Sequence, residues 1–185
     1  MRLVVSLGVA LMVFAFFSSD ASARPFARDC PAGAADNFRD VIDYLDEHMD
    51  DVRAIYEADR SYHPRRGADR RVKRRLGRDR KLNNLWFACA GNSAPLCKGS
   101  SGRHAMGAAS NKIRICYNKV RTESLASSGR GFCRLVGLVA HEFGHAVGIK
   151  KDRVGLHSKN GNDRVYQWGF AWGNYCRAQG DDRDL

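Results

Sequence analysis

The sequence contains no Cys-x-x-Cys pair, no apolar run of the roughly 20 residues needed to cross a bilayer, and no internal repeat. It has only four glutamates, the last at Glu142, and no methionine beyond Met106. Each absence removes something. Without a Cys-x-x-Cys pair a cysteine-based metal site has no support. The one sustained apolar run, Leu3 to Phe17, is too short to span a membrane. It follows Arg2 and precedes Ala21-Ser22-Ala23, which is the pattern of a signal peptide occupying residues 1–23 and cleaved after Ala23. The shortage of Glu and Met bears on the one motif in the C-terminal part that carries chemistry.

What remains, residues 24–185, is enough chain for one domain with its own core. Loss of residues 1–23 removes one base, Arg2, and one acid, Asp20, and so leaves the formal net charge at +11. Such a surface favours anionic partners, whether nucleic acid, acidic envelope polymers or acidic proteins. All six cysteines (Cys30, Cys89, Cys97, Cys116, Cys133 and Cys176) fall in this part, and an even count in an exported chain predicts disulfides.

Along residues 36–59, Phe38, Val41, Ile42, Leu45, Met49, Val52, Ile55 and Tyr56 recur at three- and four-residue steps, the stripe of an amphipathic helix. Its other face is acidic, whereas the stretch from Arg65 to Lys81 is strongly basic. A turn at His63-Pro64 to Gly67 would fold the second segment back on the first, basic side chains facing acidic ones. The sharper alternative makes Arg70, Arg71, Lys73, Arg74, Arg75 and Arg78 a polyanion-binding face, although no interleaved aromatics accompany them. Residues 88–110 read as an irregular loop rich in small residues, and Lys112 to Cys116 alternates like a short strand. A Ser- and Gly-rich linker runs from Thr122 to Gly131, and Phe132 to Val147, nearly all apolar apart from Arg134 and His141, Glu142 and His145, is long enough for a helix.

On that apolar helix sits His141-Glu142-Phe143-Gly144-His145, an HExxH motif. Two histidines four residues apart project from one helical face, so both imidazoles can reach one Zn(II). Glu142 lies beside them, able to accept a proton from the attacking water without ligating the metal. A catalytic zinc takes three protein ligands, and the tail limits the third. No Glu follows Glu142, which excludes a thermolysin-like glutamate ligand. The metzincin pattern needs His where Lys151 stands and a downstream Met that is missing. Asp152, His157, Asp163, Asp181, Asp182, Asp184 and Cys176 remain. Asp152 stands between Lys151 and Arg153, as a solvated charge does, and His157 has suitable chemistry.

The motif together with Gly161, Asp163, Tyr166 and Gly169 resembles the aspzincins, the deuterolysin-like and peptidyl-Lys endopeptidases, in which HExxH precedes a Gly-Thr-x-Asp-x-x-Tyr-Gly element. Here the second glycine falls at Gly169 instead of directly after Tyr166. Ile113-x-Ile115-Cys116-Tyr117 is similar to the strand and cysteine ahead of their zinc helix, and Trp172-Gly173-Asn174-Tyr175 to their closing segment, so the resemblance spans residues 113–176. It implies Asp163 as third ligand, with His157 as the alternative, and Tyr166 as a donor to the oxyanion. It also implies sequential disulfides, Cys30 to Cys89, Cys97 to Cys116 and Cys133 to Cys176, one of the fifteen pairings that sequence alone leaves open.

The remaining histidines read as solvent-facing or structural: His48 on the outer face of the acidic helix, His63 in a turn, His104 in the Gly-rich loop. Trp168, Phe170 and Trp172 read as completing a small core, with a substrate subsite as the alternative. The expectation is therefore a monomeric, mostly helical α+β zincin-like domain at residues 24–185, with a small sheet, a buried motif helix and stabilising disulfides. Its helical N-terminal part would cover 34–85 and its catalytic part 110–176. The implied activity is that of a secreted or periplasmic zinc endopeptidase with one Zn(II), acting on protein or peptide substrates through His141, His145, Asp163, Glu142 and Tyr166. Two alternatives stand beside it. One is a secreted basic protein with a structural zinc helix, binding an anionic polymer through Arg65 to Lys81. The other is a zinc amidase acting on cell-wall peptides.

Overall fold

The computed structural model describes residues 27–58, 85–98, 105–107, 112–126, 131–146 and 164–185. The signal segment, the basic stretch from Arg65 to Lys81, His63, His104, Asp152, His157 and Asp163 lie outside the described residues.

The periodic stripe of residues 36–59 forms two helices rather than one: α1 (Ala34–Glu47) and α2 (Met49–Ala58). His48 separates them at φ −105° and ψ 12°. Its N–H donates to Tyr44 O and its carbonyl accepts from Val52 N–H, both at 3.1 Å, so four-residue hydrogen bonds still run through the junction and only the backbone angles depart at a single residue. A one-residue break leaves the apolar stripe in register, and this is why the sequence reads as continuous. Ala34, Phe38, Val41, Ile42 and Leu45 of α1 and Met49, Val52 and Tyr56 of α2 are all buried.

Among the described residues, four short strands make one mixed sheet in the order β1-β2-β4-β3. β1 (Ala27–Arg28) runs parallel to β2 (Trp86–Cys89), β2 parallel to β4 (Lys112–Ile115), and β3 (Ala105–Gly107) antiparallel to β4. β4 is the strand expected from alternation. β2 and β3 lie in or against the stretch read as an irregular loop, because a strand of three or four residues is too short to show a period. Phe87 of β2 is fully buried, its ring stacked on Phe38 of α1 at 4.4 Å.

α3 (Tyr117–Ala126) occupies the first half of the expected linker. Only Tyr117, Val120 and Ser124 turn inward, too weak a stripe to distinguish from a Ser-rich connection. α4 (Phe132–Ala146) is the motif helix, and α5 (Arg164–Gln179) follows it. α4 packs along α5 and also touches α1, β3 and β4, which places it at the centre of the molecule.

Three disulfides pair the cysteines sequentially: Cys30–Cys89, Cys97–Cys116 and Cys133–Cys176. No cysteine is free, the pattern of a protein kept in an oxidising compartment. No described helix is long and apolar enough to cross a membrane. The architecture is a mostly helical α+β fold with a small sheet.

The C-terminal residues tie down the start of α4. Phe132 N–H donates to Arg183 O at 3.0 Å, and Cys133 N–H to the Asp182 carboxylate at 3.0 Å, which places an acceptor and a negative charge at a helix N-terminus. Arg183 lies over the Phe132 ring at 3.8 Å and pairs with Asp40 of α1 at 2.7 Å. Gly131 has φ 97°, and a Cβ there would come within 2.9 Å of Ser124 and 3.0 Å of Leu185.

Against the expectation that it faces outward, His48 is only 22% exposed in its side chain. Its ring lies 4.4 Å from that of Tyr44 and 5.4 Å from that of Tyr175. Burial raises the Tyr44 phenol well above its ordinary value, and the Asp181 carboxylate accepting its proton at 3.0 Å raises it further. Tyr175 is raised in the same direction, by burial and then by Asp51. A tyrosine whose folded value exceeds its unfolded value of 10.0 stabilises the fold fully below that pH. The contribution is lost as pH climbs, since the unfolded chain releases the proton first. Tyr44→Phe should therefore flatten the fall in urea midpoint between about pH 8 and about pH 11, and an unchanged slope would count against the assignment.

Candidate metal centre

α4 carries its apolar residues on all sides, as befits a helix surrounded by other elements: Leu135, Val136, Val139, Ala140 and Phe143 are each at most 1% exposed. His141 at 7% and Glu142 at 3% are buried among them, and His145, one turn on, is half-buried.

The two imidazoles stand at right angles, 87°, with ring centroids 4.9 Å apart. A ring centroid lies about 3 Å from a metal bound to its nitrogen, so two imidazoles sharing a tetrahedral zinc have centroids about 5 Å apart. The pair meets that spacing. Glu142 Oε1 lies 3.8 Å from His141 Nε2, which sets the carboxylate beside the imidazole without making it a third member of the pair. The donor chemistry and spacing of His141 and His145 fit Zn(II), with two imidazoles supplied from one rigid helix.

Tyr166 is placed here too. It lies in the first turn of α5, its ring 4.5 Å from the His141 ring, so two residues 25 positions apart in sequence meet at the site. Trp168 and Trp172, on the same helix, are fully buried and belong to the core, as expected, whereas Phe170 is 42% exposed.

The approach of α5 to α4 depends on glycine. The Cys133–Cys176 bridge joins the start of one helix to the end of the other, so the two run antiparallel. Between them a Cβ on Gly137 would lie 2.8 Å from the Gly169 carbonyl oxygen, and a Cβ on Gly169 2.7 Å from that of Gly137 and 3.0 Å from His141 Cβ. Gly173 faces the carbonyl of Cys133 at 3.3 Å in the same sense. Backbone thus rests on backbone directly behind His141, which lets the first turn of α5 reach the imidazole. Sequence reasoning treated Gly169 as a displaced family glycine and passed over Gly137. The signal was present in the four-residue step from Gly169 to Gly173.

The fold also removes several candidates for the third ligand. Cys176 is bonded to Cys133. Asp182 accepts from Cys133 N–H, Asp181 accepts from Tyr44, and Asp184 pairs its backbone with Gly131, all at the start of α4. His141 lies two turns further along, about 12 Å from Cys133 at 1.5 Å per residue. Among the described residues, no three His, Cys, Asp or Glu side chains could together hold a metal. Asp163, His157 and Asp152 therefore remain for the third position.

Zinc content decides between the first two. Asp163→Ala should emerge from dialysis without zinc while His157→Ala retains about one equivalent, measured by atomic emission; the reverse result would make His157 the ligand. No protein-family model, no curated protein and no solved structure matches this chain.

Proposed function

We propose that this protein is an exported, zinc-dependent endopeptidase of the aspzincin kind, with His141, His145 and Asp163 as ligands and Glu142 as general base. The observation carrying the proposal is the perpendicular imidazole pair at 4.9 Å, buried on one helix with the Glu142 carboxylate 3.8 Å from His141 Nε2. Two core histidines with no metal to hold would not need a buried carboxylate beside them.

Bound there, zinc supplies a Lewis acid that polarises the scissile carbonyl and makes water a competent nucleophile near neutral pH. Glu142 takes the proton from the attacking water and returns it to the departing amine, and its burial keeps competing solvent away from that transfer. Tyr166, its ring 4.5 Å from that of His141, would supply a hydroxyl donor to the charge that develops on the carbonyl oxygen. Asp163 stands three residues before Tyr166 in sequence and directly precedes α5, the helix whose first turn meets His141. The three disulfides and the apolar leader support export.

The test is direct. The purified exported form should cleave a mixed peptide library, lose at least about 90% of that activity on chelation, and regain it when one equivalent of zinc is returned. Cleavage indifferent to chelators would remove the metal from the mechanism. Salt-sensitive polyanion binding with no cleavage would favour the basic binding protein instead.

A further inference from the structure

Three large apolar side chains are exposed among the described residues: Ile55 at 43%, Leu125 at 65% and Phe170 at 42%. Isolated exposed side chains are ordinary and need no explanation. Phe170 differs from the other two in its position. Its ring lies 6.0 Å from that of Tyr166, which lies 4.5 Å from that of His141, so the Tyr166 ring links an exposed phenyl to the histidine pair. The inward face of α5 is already filled by Trp168, Ala171 and Trp172, each at most 2% exposed, so the core does not require Phe170.

Resting on the peptidase reading above, we propose that Phe170 is the wall of an apolar substrate subsite. Substrates are then peptides with a bulky aliphatic or aromatic side chain close to the cleaved bond. The reach follows from the rings: the Phe170 ring stands no further from the His141 ring than the two separations together, about 10.5 Å, and an extended peptide advances about 3.3 Å per residue. The preferred side chain therefore falls within three residues of the scissile carbonyl. A half-exposed phenyl face that a substrate side chain covers gains the apolar contact it lacks in the free protein, and this discriminates between large and small side chains.

The experiment uses peptides identical except for Gly, Leu, Phe, Asp or Lys at one of the three positions on either side of the cleaved bond. Wild-type protein should favour Leu or Phe over Gly by about tenfold in kcat/KM at one of these positions. Phe170→Ala should reduce that ratio to about threefold or less, mainly through KM, and Phe170→Lys should turn the preference toward Asp. Binding gives a second readout: the Leu peptide should bind Glu142→Gln protein about tenfold more tightly than it binds the Glu142→Gln, Phe170→Ala double variant. Cleavage whose apolar preference survives Phe170→Ala, or that shows no such preference in wild type, overturns the subsite and leaves the peptidase reading standing. If no peptide in the set is cut in a chelator-sensitive way, both fail together.

Discussion

Glu142→Gln should cost the protein about a thousandfold in kcat, or about 4 kcal/mol of barrier, while its zinc content stays at one per chain. Gln keeps the size and shape of Glu, which matters at a residue only 3% exposed, since a smaller side chain would leave a cavity in the helix packing. What changes is proton affinity. An amide oxygen cannot take the proton of the attacking water, and the new NH2 group presents donors where an acceptor is needed. The proposed role of this carboxylate, 3.8 Å from His141 Nε2, is base and not ligand, so the metal should be retained. Full activity in the variant would end the general-base assignment, and loss of zinc would move Glu142 into the ligand set. Thermal melts on the same preparation guard against a trivial explanation by unfolding.

The second large effect is expected from a single methyl group. Gly169→Ala adds a Cβ 2.7 Å from a backbone oxygen of α4 and 3.0 Å from the Cβ of His141, and neither neighbour is the free end of a flexible side chain. The helices must separate, although the Cys133–Cys176 bridge holds them together near one end. Overpacking of this kind costs about 3 kcal/mol, on the order of a 10 °C fall in thermal midpoint for a domain of this size. The separation also moves Tyr166 away from His141, and a misplacement of about 1 Å at a reacting centre is worth on the order of a hundredfold in rate. Gly91→Ala makes a suitable control, because its nearest neighbour lies 4.0 Å away and little should change. If Gly169→Ala melts and cleaves like the control, the close crossing is not what positions the site.

His141, Glu142 and His145 were legible from sequence because their spacing is itself chemistry: a four-residue step on an apolar helix fixes which way the imidazoles point. The sequential pairing of cysteines was likewise available, through the resemblance. The meeting of Tyr166 with His141 was open only to analogy, since it depends on how two helices cross, and pairs of glycine backbones in contact leave little trace in hydropathy. Short strands were lost for a related reason. β2 has four residues and β3 three, below the length at which alternation differs from chance, and their neighbours in the sheet decide that they are strands. The break at His48 was hidden because a one-residue interruption does not disturb the apolar stripe on either side.

The first disulfide has a consequence for any protease that meets this protein. Cys30 precedes α1, Cys89 ends β2, and 59 positions of chain separate them, among them the arginine-rich stretch between α2 and β2. A trypsin-like cut after any of those arginines would produce two polypeptides, yet the bridge would hold them as one molecule, with α1 still packed against α4, which carries the histidines, and α2 against α5. Such a nicked form would migrate as a single band on a non-reducing gel and split into two only after reduction, so the N-terminal helices stay with the site instead of leaving as a removable leader.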